Sequence, residues 1–145
     1  MAIKRLKVSK VSGGFTLLEV LITVVIFSVG LLGLAGLQAT GIKLNHSSLL
    51  RTQATLLAYD IADCMRANRD AAIAAAYDID TGDTHGTPSD LAQTDVRDWK
   101  VKLDQTLPTG DGSIELDGSR VTIDVEWDDT RGVGALKTFT LVTDI

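Results

Sequence analysis

Between residues 20 and 42 the chain carries no charged side chain, and Leu, Val, Ile, Phe, Gly and Ala dominate. A helix rises about 1.5 Å per residue, so such a run crosses a hydrocarbon core of roughly 30 Å. It is too long for the apolar core of an ordinary signal peptide, and no small-x-small cleavage site follows it. Ahead of it lies a short basic leader with Lys4, Arg5, Lys7 and Lys10 and no acid. That excess of positive charge holds its end of the chain in the cytoplasm. One residue disagrees with the apolar surroundings: Glu19, at the mouth of the run. An acid at the centre of a membrane helix costs about 2.5–3.5 kcal/mol, and less near the interface. Glu19 either marks the interface or is a functional carboxylate in search of a partner.

The residues around Glu19 carry a resemblance. Gly14-Phe15-Thr16-Leu17-Leu18-Glu19 resembles the processing site of type IV prepilins and related pseudopilins. The resemblance implies that a dedicated membrane peptidase cuts between Gly14 and Phe15 and then methylates the amino group of Phe15. It implies that Glu19, fifth in the mature chain, is the assembly carboxylate. The fold it implies is α+β, type IV pilin-like, with a long N-terminal helix packed on a small C-terminal antiparallel sheet. The implied partners are the prepilin peptidase, a major pilin, other minor pilins and the inner membrane. Cleavage creates an ammonium at Phe15. In a filament the Glu19 of one subunit can meet the Phe15 ammonium of a neighbour, so that two costly buried charges neutralise each other.

The formal net charge is −5, and taking away the four leader cations leaves −9. An acidic exported head argues against nucleic-acid binding, which needs clustered Lys and Arg against phosphates. Cys64 is the only cysteine, so no intrachain disulfide forms, and the chain departs here from the many pilins that close a C-terminal loop with one. Cys64 falls on a helical stripe and reads as a small packed side chain.

In order, residues 1–14 are the leader and residues 15–42 the transmembrane or filament-core half of the long helix. Gly30, Gly33, Gly36 and Gly41 punctuate that half; such residues weaken a water-exposed helix but let helices approach closely in a membrane. Residues 43–76 read as the amphipathic half. Leu50, Ala54, Leu57, Ile61, Cys64, Asn68, Ala71 and Ala75 recur at alternating spacings of four and three, flanked by Leu49, Leu56 and Met65. That stripe is a face for packing on a sheet, with Arg51, Asp60, Asp63, Arg66, Arg69 and Asp70 on other faces. Asp63-Cys64-Met65-Arg66-Ala67-Asn68-Arg69, with Gly30 to Gln38, resembles the PilV group of minor pilins. On their own, Arg66 and Arg69 read as a solvated face.

Residues 77–112 form a connector. Its first part, rich in Asp, Thr and Gly, is a loop. Asp78, Asp80 and Asp83 suggest calcium only weakly, because their spacing does not fit an EF-hand and no closing Glu follows. His46 and His85 have no metal-ligand companion. Residues 89–107 read as a short helix with Trp99, Leu103 and Leu107 four apart, Val96 and Leu91 adjoining, and Pro108 at the stop.

Residues 113–145 are strand-like. Ile114-Glu115-Leu116 leads to Asp117-Gly118, a hairpin signal. Val121, Ile123, Val125 and Trp127 then alternate with Thr122, Asp124 and Glu126, giving one buried and one wet face. A third strand holds Phe139 and Leu141, with Leu136 and Val142 as further candidates. Val125-Glu126-Trp127-Asp128 and residues 139–143 also resemble the end of PilV-type minor pilins.

No Ser/His/Asp set, Cys/His pair, phosphate loop or metal cluster stands out, so the reading is structural rather than enzymatic, with no cofactor and no small-molecule substrate. The resemblance implies a minor pilin of a bacterial type IV pilus. Such a subunit is single-pass in the inner membrane with a periplasmic head until it is assembled, and serves pilus initiation, twitching motility and adhesion. A type II secretion pseudopilin and a DNA-uptake minor pilin are the alternatives.

Overall fold

The computed structural model describes residues 13–84, 87–130 and 132–145. The leader cations Lys4, Arg5, Lys7 and Lys10 and His85 lie outside the described residues. The elements run α1 (Leu17–Ala67), α2 (Arg69–Ile73), α3 (Leu91–Thr106), β1 (Asp111–Asp117), β2 (Arg120–Trp127) and β3 (Lys137–Asp144). The strands form one antiparallel sheet in the order β1-β2-β3. This is the α+β arrangement expected from the resemblance, a long N-terminal helix and a small three-stranded sheet. By contacts the chain divides into two compact units, one ending at Ile42 and the other spanning Lys43–Ile145.

In the second unit the head half of α1 buries Leu50, Ala54, Ala58, Ile61, Ala62 and Met65. The buried face is therefore rotated from the expected stripe. Leu57 and Cys64 are half-buried at its margin, while Leu49 and Leu56 face solvent. Size weights a sequence pattern towards leucine. Here close approach selects alanine, for α3 comes near enough that the Trp99 indole N–H donates to the Leu57 carbonyl at 3.0 Å.

The long helix also ends earlier than its apolar pattern. It breaks at Asn68 (φ −118°, ψ 52°) and stops after Ile73 instead of running to residue 76. The Asn68 side-chain amide donates to the Tyr77 hydroxyl (3.2 Å), which donates to Asp95 (2.8 Å). Burial and that bond to Asp95 push the Tyr77 phenol up to about 12. Beyond Ile73, Ala75 takes a left-handed φ of 59°, with Ala75 N–H on the Ala72 carbonyl and Ala76 N–H on the Ala71 carbonyl. This is a Schellman stop built on alanine, without the glycine that normally advertises one.

Asp90 caps α3, accepting from the Gln93 N–H at 2.9 Å. Val96, Trp99, Leu103 and Leu107 are buried as expected from the spacing, but Leu91 is exposed and Ala92 takes the core position. α3 lies directly on the sheet at Gly112. A Cβ there would stand 2.4 Å from the Asp124 carbonyl oxygen and 2.7 Å from the Trp99 ring. Beside it Lys100, 8% exposed, donates to Asp111 at 2.6 Å and to the Asp80 carbonyl at 3.0 Å.

The β1–β2 loop is Gly118-Ser119, one residue beyond the expected Asp-Gly pair, and Gly118 supplies the positive φ of 67° that the tight turn requires. Val121, Ile123, Val125 and Trp127 are buried, as the alternation requires. On β3, Phe139 and Leu141 pack partly against the core, whereas Leu136 and Val142 are exposed. Val142 pairs with Thr122 and so sits on the wet face.

Replacing Ile123 by Asp puts an unpaired carboxylate into a fully buried site and should cost at least about 3 kcal/mol, or abolish head folding. Thr122→Lys, one residue away on the wet face, should change stability by less than about 0.5 kcal/mol. Urea denaturation of the protein in detergent measures both. A second prediction concerns acid. Burial alone would raise the Asp111 carboxyl, but the Lys100 ammonium and the N–H groups of Gly82 and Gly112 hold it below its ordinary 3.8. A depressed carboxyl stabilises the fold above that ordinary value and loses the contribution as pH falls through the lower folded value. Asp111→Asn should cost about 2 kcal/mol at pH 7. Its deficit relative to wild type should shrink as pH falls below the ordinary 3.8 and through the lower folded value.

Candidate functional site

The junction singled out by the sequence lies in the first unit. Residues 13–16 are exposed and non-helical, and Phe15 is 84% exposed. α1 begins at Leu17 because Thr16 closes its first turn. The Thr16 carbonyl accepts from the N–H groups of Glu19 (3.1 Å) and Val20 (3.2 Å), and its hydroxyl accepts from Glu19 N–H at 3.2 Å. Thr16 is thus the N-cap, in the Thr-x-x-Glu order of a capping box. Its role was missed in the sequence reading, although that four-residue signature was legible. Glu19 sits in the first turn, where the helix dipole favours an anion. Its carboxylate has no hydrogen-bond or ion-pair partner among the described residues.

Nothing in the fold demands the glycine at position 14. Its φ is not positive, and a Cβ built on it meets no atom within 4 Å. A glycine without a local reason points to recognition by another molecule.

The same holds along the helix. Every large apolar side chain from Leu17 to Ile42 is exposed, with Leu17 at 91% and Ile42 at 69%. Gly30, Gly33, Gly36 and Gly41 also face open space. α1 is the one helix among the described residues long and apolar enough to cross a membrane. Thr23, Ser28 and Thr40 turn their hydroxyls onto the carbonyls of Glu19, Val24 and Gly36, so these polar groups are satisfied within the helix.

In the head, the other residues singled out have structural roles. Arg66 bridges Asp63 (2.7 Å) and the Thr143 hydroxyl (2.7 Å), and Arg69 donates to the Ile145 carbonyl at 3.0 Å. Both arginines are exposed, as a solvated face requires, and from that face they also reach the far end of β3. Cys64 is half-buried, its thiol pushed up by burial and the nearby acids, first among them Asp95 and Asp60. Among the described residues no three of His, Cys, Asp or Glu are grouped as metal ligands. Asp80 is engaged through its carbonyl with Lys100, and Asp83 closes a turn on Asp80. His46 lies next to Ser47, whose hydroxyl donates to Asp129 at 2.6 Å.

Residues 9–35 match the family description "Prokaryotic N-terminal methylation motif". No curated protein and no solved structure matches the chain. The matched stretch spans the Gly14–Phe15 junction, Thr16, Glu19 and the first half of the apolar run, and it supports a type IV pilin-like protein, a pilin or pseudopilin-like prepilin.

Proposed function

We propose that the chain is a minor pilin of the PilV group, a structural subunit of a bacterial type IV pilus. The observation that carries the proposal is an exposed apolar helix segment, unpartnered among the described residues, that starts two residues after a Gly-Phe junction and holds Glu19 as its lone charge before Lys43. In this reading prepilin peptidase cuts between Gly14 and Phe15 and methylates Phe15. The leader stays cytoplasmic, residues 15–42 span the inner membrane, and the acidic head is periplasmic. On assembly the helix leaves lipid for the filament core among a major pilin and other minor pilins, and the Glu19 carboxylate meets a neighbouring Phe15 ammonium. The subunit takes part in pilus initiation, twitching motility and adhesion. A type II secretion pseudopilin would share this N-terminal chemistry and differ in the machine it enters.

Intact-mass and N-terminal analysis of protein from sheared pili and from inner membrane tests the reading. A chain beginning at methylated Phe15 in the pilus fraction is expected. A processed chain confined to membranes would move the protein to the pseudopilins, and an unprocessed chain would remove it from both. Gly14→Val should leave the leader attached, visible as the uncut mass; normal processing would refute the junction. Glu19→Val should insert in the membrane at least as well as wild type, because the acid is the costly group there. It should be lost from the pilus fraction by about tenfold or more, and wild-type incorporation would sink the charge-pair role.

A further inference from the structure

The head's sheet has two edges, and they differ. On β1 the outward backbone of Ile114 is already engaged. Ile79 N–H donates to the Ile114 carbonyl at 3.0 Å, and Ile114 N–H to the Ile79 carbonyl at 2.9 Å. β3 has no such cover among the described residues.

The register shows which β3 amides face outward. The tight turn closes on the Asp117–Arg120 pair, so Arg120, Thr122, Asp124 and Glu126 exchange backbone bonds with β1, and the residues between them exchange with β3. Those β3 partners are Lys137, Phe139, Leu141 and Thr143. The Ile145 N–H to Ser119 carbonyl bond (3.0 Å) continues the same alternation. The N–H and C=O groups of Thr138, Thr140, Val142 and Asp144 therefore point away from the sheet.

Side chains mark the same edge as incomplete. Ile123 and Val125 are 0% exposed, yet their cross-strand neighbours Leu141 and Phe139 are only half-buried. Charges stand only at the strand's two ends, Lys137 and Asp144, where exposed edges are usually guarded by charge, proline or a bulge.

We propose that β3 is a docking edge for an extended segment of a partner protein, apolar at alternate positions and neutral or basic between them. The apolar side chains would extend the row of Phe139 and Leu141. The alternate ones would lie on the face that presents Asp124 and Glu126, which favours cations; Asp144 on that face is already paired with Arg120 at 3.9 Å. A second copy of this chain fits poorly. Within the head α1 runs beside β3 in the same direction, from Ser47 at Asp129 to Arg66 at Thr143. Two β3 strands paired antiparallel would place their Lys43 ends, from which the apolar runs leave, at opposite ends of the joined sheet. Paired parallel, the apolar row of one would fall on the polar face of the other.

The test uses the full chain in lipid nanodiscs and a synthetic peptide of about nine residues alternating Val with Thr and Lys. The amides of Thr138, Thr140, Val142 and Asp144 should exchange with deuterium at least about tenfold more slowly, saturably, and a peptide of the same composition in non-alternating order should have no effect. Thr140→Pro removes one outward N–H and keeps the backbone ladder to β2, losing besides it only the Thr140 hydroxyl's bond to Asp124, and should weaken binding by about tenfold or more while circular dichroism stays native. Thr138→Pro replaces it should that variant not fold. No protection, protection on β1 instead, or equal binding by the proline variant would overturn the proposal. So would a peptide-free dimer that the proline variant dissolves, because the edge would then belong to a second copy.

Discussion

The apolar run of α1 between Leu17 and Ile42, which buries no large side chain among the described residues, is the constraint on which everything else depends. Water would charge about 25 cal/mol for each Å² of the apolar surface between Leu17 and Ile42, so the segment exists only in lipid or among other helices. Its glycines make the same point from the opposite side. Each costs up to about 1 kcal/mol in an exposed helix, and none is required by a neighbouring atom of this chain. Their return, like that of the surface around them, must come from outside. Glu19 is placed where its cost is least, in the first turn of α1. There the dipole offsets about 0.3–1 kcal/mol of the penalty for a carboxylate near lipid. The remainder is a standing demand for a cation, and an ammonium at Phe15 of a neighbour would meet it.

The head is organised around the contact of α3 with β1. Gly112 lets the Trp99 ring lie against the strand, Trp99 reaches on to the Leu57 carbonyl of α1, and Lys102 pairs with Asp60 on the same helix at 2.7 Å. Asp111 gathers Lys100 and the N–H groups of Gly82 and Gly112, so one carboxylate ties the connector loop, α3 and the sheet together. An ion pair this sheltered adds little net stability compared with an apolar pair, because both charges lose water. It does fix orientation, since a displaced loop would leave Lys100 buried without a partner. The connector, poor in apolar residues between Tyr77 and Leu91 apart from Ile79, is held by this polar anchor and the Ile79 bridge rather than by a core of its own.

What was legible in the sequence was whatever a period records. The alternation from Val121 to Trp127 gave the central strand and its faces, the four-residue spacing at Trp99, Leu103 and Leu107 gave α3, and the charge-free run gave the apolar helix. What escaped depends on atoms distant in sequence. Ala58 and Ala62 are core because α1 lies close to its neighbours, a fact that apolar size alone hides. The helix breaks at Asn68, whose side-chain amide is taken by the Tyr77 hydroxyl that in turn donates to Asp95, and Ala75 ends it in a conformation that glycine would have announced. Arg66 and Arg69 are the solvent residues they look like, and only the fold shows that from there they reach Thr143 and Ile145. At the N-terminus the junction and Glu19 were visible as a motif, and Thr16 was legible too, as the first residue of a Thr-x-x-Glu capping signature whose hydroxyl lies on the Glu19 N–H.

Thr16 links the two halves of the proposed processing. A protease needs its scissile bond extended, and a helix that began earlier would draw the Gly14–Phe15 bond into its hydrogen-bonded first turn. The glycines cannot prevent that alone, because they are merely poor helix formers. Thr16 sets the boundary actively: its carbonyl and hydroxyl take the first amide donors of α1, and Gly14 and Phe15 are left exposed ahead of it. In the proposed processing the same cap would lie one residue from the new ammonium and three from Glu19, so the helix start that would present the bond for cutting would also hold the carboxylate within one turn of the new terminus. Extended backbone for a peptidase and a rigid, charge-bearing helix end for assembly are opposite demands on adjacent residues. A single N-cap between them satisfies both.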